Sequence, residues 1–377
     1  MIKETKKNIL ITGANGFIGK NLYIRLEESN NFKVFKFLKD DSIDDLENLL
    51  NQADILFHLA GENRPHDDSL FEKANVSFTK KITEIVKKNL LKTHIIFSSS
   101  AQAEIDNEYG RSKLSAEKIL KKLSKENGNP VSIYRLPGVF GKWCLPNYNS
   151  VVATFCHNIA NNLPINIDDK EHKINLVYID DVIDSFINEF QSQNEDFCFC
   201  NIKNQYEISL GDLANQIYVF KNSRKSLITE KVGTGFNRAL YATYISYLDP
   251  KNFSYEIESH VDSRGNFVEM LKTKDSGQFS FFTAHPGIKR GGHYHHTKSE
   301  KFLVVQGNAK FSFRHIISNE TFTVYTSADK PTIVETIPGW SHDIKNIGKN
   351  LMIVMLWANE QFNKELPDTI TSEVINE

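Results

Sequence analysis

The chain has 377 residues, 40% of them hydrophobic and 24% charged, with a formal net charge of −2. That length allows two domain cores, and the composition is that of an ordinary soluble protein with no charge excess to attract nucleic acid. No apolar run is long enough to span a bilayer and Met1-Ile2-Lys3 opens no signal-peptide pattern, so a cytoplasmic location with no membrane partner is expected.

Asn8-Ile-Leu-Ile-Thr12 is a short apolar run suited to a buried parallel strand. It leads into Gly13-Ala-Asn15-Gly16-Phe17-Ile18-Gly19 and a helical stretch to about Glu27. Glycines at such a turn let the backbone approach a pyrophosphate, which the positive helix end then holds. A second strand is expected over Lys33–Leu38. Lys39 at its end favours the 2′-phosphate of NADPH, while Asp40 and Asp41 favour the free ribose hydroxyl of NADH. Ala53 to Gly61 reads as the fourth strand, with His58 a packed strand residue. Arg64 follows at its carboxyl end, either a phosphate contact or an ordinary surface arginine.

His94-Ile-Ile-Phe-Ser98-Ser99-Ser100 is the next strand, and Tyr109-Gly-Arg-Ser-Lys113 opens a helix. Tyr and Lys four apart share one helix face. A tyrosine that protonates a carbonyl oxygen needs its pKa, ordinarily about 10, brought down, and a neighbouring ammonium does this. A serine hydroxyl then holds the carbonyl. The glycine turn and Ser…Tyr-x-x-x-Lys together resemble the short-chain dehydrogenases/reductases of the extended type, over about the first 230 residues. The resemblance implies Ser100, Tyr109 and Lys113 as catalytic residues, with Ser99 in reserve for Ser100. It implies cofactor contacts from Gly13, Asn15, Gly16, Phe17, Ile18, Gly19, Leu59, Ala60, Gly61, Ser98, Tyr109, Lys113 and Leu136. Only eight residues separate Ser100 from Tyr109, a shorter loop than relatives carry, so the site is trimmed on that side.

Arg135-Leu-Pro137 resembles the family segment near nicotinamide and substrate, and Asn149 lies where such enzymes build the sugar-nucleotide site. Asp180 and Asp181 read as structural caps of the following helix, and Ser209 as the cap of a later one. Cys144, Cys156, Cys198 and Cys200 have no zinc-site spacing, and the last two are too close for ordinary disulfide geometry, so all four read as reduced thiols. Tyr241, Tyr244 and Tyr247 have helix spacing and are expected to pack between domains.

From Phe253 the pattern turns to short alternating strands with Gly and Pro turns, an all-β sandwich or barrel. His293 and His295 are two apart, so on a strand both face one way; Glu300 follows after four residues, and His342 ends Pro338-Gly-Trp-Ser-His342. Such donors suit Zn²⁺ or another divalent transition metal. The order and gaps resemble the two-part motif of the cupins, which implies a metal set of His293, His295, Glu300 and His342. Asp262-Ser-Arg264-Gly and Arg290-Gly-Gly-His293-Tyr294 also resemble the nucleoside-diphospho-sugar 3,5-epimerases, themselves cupin-like. There Arg264 would sit near the sugar nucleotide, and His293 would be the base. The metal assignment of His293 is the fuller match; the base would then be His296 or Lys301.

The expected architecture is an α/β Rossmann-type doubly wound parallel sheet over residues 1–243, then an all-β cupin (jelly-roll) domain over 244–377. The pair resembles the bifunctional epimerase/reductases of UDP-N-acetyl-L-fucosamine synthesis in capsule and O-antigen pathways. That resemblance implies a UDP-linked 4-keto-6-deoxy-acetamidohexose as substrate, C3 epimerisation by the cupin, C4 reduction with NADPH by the reductase, and a homodimer. One alternative leaves the cupin as a metal-stabilised dimerisation module. A non-enzymatic sensor is disfavoured by the intact Ser100, Tyr109 and Lys113.

Overall fold

The computed structural model describes residues 6–29, 31–67, 69–191, 197–257, 260–262, 265–267, 271–273, 277–360 and 365–374. In chain order the elements begin β1 (Lys7–Thr12), α1 (Phe17–Glu27), β2 (Phe32–Phe37), α2 (Ile43–Leu50), β3 (Ile55–His58), α3 (Ser69–Phe71), α4 (Phe78–Lys88) and β4 (His94–Ser100). They continue α5 (Glu108–Asn127), β5 (Val131–Leu136), β6 (Gly138–Phe140), α6 (Val151–Ala160), β7 (Lys173–Tyr178), α7 (Ile179–Gln191), β8 (Phe197–Cys200), β9 (Tyr206–Ser209), α8 (Leu210–Ser226), β10 (Ile228–Thr229) and α9 (Gly235–Ile245). Strands then follow: β11 (Ser254–Glu256), β12 (His260–Asp262), β13 (Gly265–Phe267), β14 (Lys272–Thr273), β15 (Gln278–Ala284), β16 (Lys289–Tyr294) and β17 (Glu300–Gln306). The last are β18 (Asn308–His315), β19 (Thr321–Ser327), β20 (Thr332–Glu335), β21 (Trp340–Asn346), β22 (Met352–Ala358) and β23 (Ile370–Thr371).

The chain divides into two compact units: residues 1–140, 148–150 and 174–207, and residues 141–147, 151–173 and 208–377. The division expected between 243 and 244 falls inside α9, so residues 208–243 lie with the second unit.

The first unit is built on a six-stranded sheet in the order β2-β1-β3-β4-β5-β8, parallel throughout. Ile9, Leu10 and Ile11 are wholly buried, which is why an uninterrupted apolar run suits this central strand. The amphipathic α4 buries Ile82, Ile85 and Val86 and turns Lys80, Lys87 and Lys88 outward. Ser42 caps α2 in a reciprocal pair with Asp45. That helix fills the stretch before β3, so Ile55–His58 is the third strand in chain order and not the fourth. The chain goes from β1 out to β2 and returns to β3, which makes the carboxyl ends of β1 and β3 the switch point where such sheets bind ligands.

The second unit contains two five-stranded sheets, ordered β11-β20-β17-β22-β15 and β19-β18-β21-β16-β23, as expected of a jelly roll. Their pairings are antiparallel. Tyr241 and Tyr244, expected between domains, pack inside this unit against Phe220 of α8, with ring centroids 5.1 and 6.2 Å away. Tyr247 donates its hydroxyl to the Cys144 carbonyl at 2.6 Å, also within the unit.

Candidate functional sites

At the switch point of the first unit, Gly13 has φ +71°, and a Cβ there would stand 2.7 Å from the Ala60 nitrogen. A Cβ on Gly19 would reach 2.2 Å from the Gly13 carbonyl oxygen. Only glycine lets the turn close against Leu59 and Ala60 and lets α1 start directly behind it. Gly16 is the N-cap of α1 and offers no side chain to the first helical amides of Phe17 and Ile18. Those donors suit an anion. Asn15 and Gly16 are exposed at this head. Lys39 is exposed in the turn after β2, whereas the Asp41 carboxylate is used locally, accepting the Leu38 amide at 2.7 Å.

The serines of β4 diverge. Ser98 gives its carbonyl to Lys113 Nζ at 3.0 Å. Ser99 turns to Glu117 at 2.5 Å, where Arg135 also binds at 2.9 and 2.7 Å. Ser100 hydrogen-bonds Tyr109, and its Oγ accepts the Gln102 amide at 3.1 Å. The structure thus brings Ser100, Tyr109 and Lys113 together and commits Ser99 elsewhere. Leu136 pairs with Ser100 across the β4–β5 register. Burial pushes the Tyr109 phenol up, partly offset by its bond to Ser100. Burial also brings the Lys113 ammonium down to about 8, against an opposing pull from Glu117. The eight-residue loop survives because a Cβ on Gly110 would meet the Gln102 and Ile105 carbonyls at 2.2 and 2.4 Å, so glycine lets the loop fold back on the helix start.

His58 is wholly buried between Thr12 and Thr79, at 3.0 and 2.9 Å, and burial, with Lys113, drives its imidazole down to about 3. Asn75 escaped the sequence reading. Its amide binds the Glu62 carbonyl and Ser112 Oγ, and its oxygen would stand 2.6 Å from a Cβ on Gly61, so it ties the end of β3 to α5. Arg64 hydrogen-bonds the Tyr148 carbonyl, next to the exposed Asn149. Arg264 lies outside the described residues.

In the second unit, His293 of β16 pairs across the sheet with His342 of β21, while Glu300 comes from β17 in the other sheet. Their donor atoms and that of His295 lie within 4.8 Å of one another. Glu300 Oε2 stands 3.1 Å from His295 Nε2 and 3.4 Å from His342 Nε2, and Lys298 Nζ is 3.2 Å from Glu300 Oε1. Gly291, at φ +105°, forms the bulge that turns His293 inward; a Cβ there would stand 2.8 Å from the His342 carbonyl. His295 Nδ1 donates to the Asp368 carbonyl, which turns Nε2 toward the cluster, where Glu300 favours a proton on it and a metal would replace that proton. The Asp368 carboxylate in turn accepts the amides of His296, Thr297 and Lys298 at 2.8, 2.7 and 2.8 Å.

This set suits a divalent transition metal. Among the described residues, His342 Nδ1 has no hydrogen-bond partner and Nε2 meets only Glu300 at 3.4 Å, and three imidazoles and one carboxylate converge with Lys298 as the one cation paired to them. Burial, then His342 and His295, takes the His293 imidazole down to about 3, so it presents a neutral nitrogen. Burial alone would raise Glu300, but His295 and His342 hold it well below the usual carboxylate range. Lys301 points to the opposite face of β17, paired with Glu335 at 3.1 Å and the Tyr255 hydroxyl at 3.0 Å, and does not reach the cluster. His296 is buried beside Asp368.

Residues 9–197 match the NAD dependent epimerase/dehydratase family, and residues 260–370 the polysaccharide biosynthesis C-terminal domain. The chain is 51% identical over 366 residues to a UDP-2-acetamido-2,6-beta-L-arabino-hexul-4-ose reductase of Pseudomonas aeruginosa, covering 97% of this chain and 98% of that protein. It is similar to the crystal structure of the capsular polysaccharide assembling protein CapF of Staphylococcus aureus, at 41% identity and a TM-score of 0.67, covering 97% of this chain and 100% of that one. A UDP-glucuronic acid 4-epimerase of Bacillus cereus in complex with NAD is 21% identical at a TM-score of 0.52 over 57% of this chain and 84% of that one, a likeness of fold. With its glycine turn, its Ser-Tyr-Lys set and a near full-length relative, the chain belongs to the NAD dependent epimerase/dehydratase family, joined to a polysaccharide biosynthesis C-terminal domain.

Proposed function

We propose that this protein is a nicotinamide-dependent reductase of a UDP-linked 4-keto-6-deoxy-acetamido sugar, acting in the cytoplasm in capsule or O-antigen synthesis, with NADPH as donor. The convergence of Ser100, Tyr109 and Lys113 beyond the glycine turn carries the reading. The 51% identical reductase supports the substrate class. The amides at the head of α1 would hold the cofactor's pyrophosphate and Lys39 its 2′-phosphate. When bound, that cofactor supplies a hydride for the C4 carbonyl carbon. Ser100 Oγ accepts from Gln102 and hydrogen-bonds Tyr109, and with substrate bound its proton would turn to the C4 oxygen. Tyr109 donates to the same oxygen and gives up its proton as the alkoxide forms, and the Lys113 ammonium favours the phenolate left behind. Arg64, Asn149 and Arg264 are proposed to hold the nucleotide sugar.

We further propose that the second unit first epimerises C3, where the adjacent ketone makes the proton acidic. The two steps together give UDP-2-acetamido-2,6-dideoxy-L-talose, on the route to UDP-N-acetyl-L-fucosamine. His293, His295, Glu300 and His342 would hold Zn²⁺, which when bound supplies a Lewis acid for the ketone oxygen. His296 is then the remaining candidate base, since Lys301 is committed to Glu335 and Tyr255. A second reading has an observation in its favour. His295, Glu300 and His342 are at most 5% exposed, and a closed four-donor set is typical of structural zinc. The cupin would then be a metal-stabilised scaffold.

The deciding measurement uses Tyr109→Phe protein with the 4-keto UDP-sugar in D₂O, without NADPH, following C3–H by NMR. Deuterium entering C3 above the enzyme-free rate, and lost in His342→Ala, supports the two-step reading. Absence of exchange from folded protein, with wild type still oxidising NADPH, leaves the scaffold reading. NADPH oxidation undiminished in Tyr109→Phe would sink the reductase. A homodimer is also inferred, supported by the exposed Phe279 and Phe281 on edge strand β15 beside Ile353 and Met355. Light scattering that returns the single-chain mass of 43.2 kDa would refute it.

A further inference from the structure

A second set of donor atoms lies on the other face of the first unit's sheet. Along β5 the side chains alternate: Arg135 reaches Glu117 of α5, whereas the Tyr134 hydroxyl reaches the Ser185 carbonyl of α7. On the α7 face, edge strand β8 presents Cys198 and Cys200, two residues apart and therefore on one side. Their sulfurs are 3.3 Å apart. Glu189 of α7 places Oε1 3.5 Å from Cys198 Sγ, and donor atoms of all three residues lie within 4.8 Å of one another. Ser132 Oγ stands 2.8 Å from Glu189 Oε1 and 3.5 Å from Cys198 Sγ, with His94 Nε2 behind it at 2.9 Å.

We propose that Glu189, Cys198 and Cys200 form a second divalent-metal site, of zinc-type chemistry, that pins edge strand β8 to α7. Distances support this. In a tetrahedral zinc centre, bonds of about 2.3 Å to sulfur and about 2.0 Å to oxygen set a sulfur and an oxygen about 3.5 Å apart and two sulfurs about 3.8 Å apart. The sulfur–oxygen separation is already there at 3.5 Å. The two sulfurs need to open by about 0.5 Å, which side-chain rotation supplies. Two thiolates and one carboxylate select a soft or borderline ion over Mg²⁺ or Ca²⁺. The fourth position falls to water or the Ser132 hydroxyl. A disulfide fits less well, though for the opposite reason to the one expected from the sequence: two residues along a strand span about 6.6 Å, near the upper limit for bridged Cα atoms and not too close for them.

The register separates this site from the reductase chemistry. Cys198 and Cys200 pair with Ser132 and Tyr134, whereas Ser100 pairs with Leu136 at the carboxyl end, and its partner helix α5 covers the opposite face. The metal would therefore act on the edge of the sheet.

Cadmium titration of the full chain tests the proposal, because a thiolate–cadmium charge-transfer band in the ultraviolet can arise only from sulfur, and the imidazole–carboxylate set has none. The expected result is a band that saturates by two added equivalents, the silent imidazole–carboxylate set taking the other ion, is displaced by zinc, and vanishes in Cys198→Ser/Cys200→Ser. Glu189→Gln should keep the band and weaken cadmium binding by about tenfold or more. No band in wild type, or a band surviving in the double variant through Cys144 or Cys156, overturns the site. Recovery of Cys198 and Cys200 as a disulfide that cadmium cannot enter does so as well. If circular dichroism shows the double variant unfolded, Glu189→Gln decides alone, and unchanged cadmium affinity there overturns the proposal.

Discussion

Burial holds the Lys113 ammonium down to about 8, against an ordinary 10.5, with only Glu117 pulling the other way. Each unit of such a difference is worth about 1.4 kcal/mol, so keeping this charge inside costs the fold about 3 kcal/mol. The unfolded chain keeps the proton up to about 10.5 and the folded chain releases it near 8, so stability rises with pH across that window and the cost is full below it. Lys113→Met is therefore expected to gain about 2–3 kcal/mol in urea denaturation at neutral pH, a gain that shrinks toward alkaline pH. The same variant should lose reductase turnover by at least about 100-fold. A variant less stable than wild type at neutral pH would mean that the hydrogen bond to the Ser98 carbonyl outweighs the burial. The charge sits where the proposed reduction would use it, at the expense of the fold.

At the scale of elements, alanine normally stabilises a helix over glycine by about 1 kcal/mol. Gly110 in the first turn of α5 reverses this, because its Cβ would enter the Gln102 carbonyl at 2.2 Å. Gly110→Ala should push the loop off the helix start and separate Ser100 from Tyr109. The expected readout is a lower kcat with helix content unchanged by circular dichroism; undiminished turnover would show that the loop adapts. The strand, turn and helix around these residues were legible because apolar runs, glycine spacing and the Tyr-x-x-x-Lys face follow from local periodicity. The four-donor cluster was legible from spacing, although His293 lies on β16 and His295 one residue past its end. Asp368 was not: it binds His295 from 73 residues away and no spacing announces it. Asn75 and Glu117 were missed likewise, as polar residues whose partners lie on other elements. Ile55–His58, expected as the fourth strand, is the third, because α2 leads straight into it with no strand between.

At the scale of the molecule, the chain passes between its two units five times, at 140/141, 147/148, 150/151, 173/174 and 207/208. Periodicity could find the strands on either side of these crossings but not which core each one joins. Residues 244–377 expressed alone would lack α6 and α8 and cut α9, leaving Phe253 and its neighbours without part of their own unit. That fragment is expected to be unfolded or aggregated by circular dichroism and gel filtration, and a cooperative melt from it would show that the late strands suffice. The interlacing also bears on inheritance. A single recombination breakpoint in the gene cannot exchange one unit and leave the other whole, so the two units are expected to be inherited together whatever each one does.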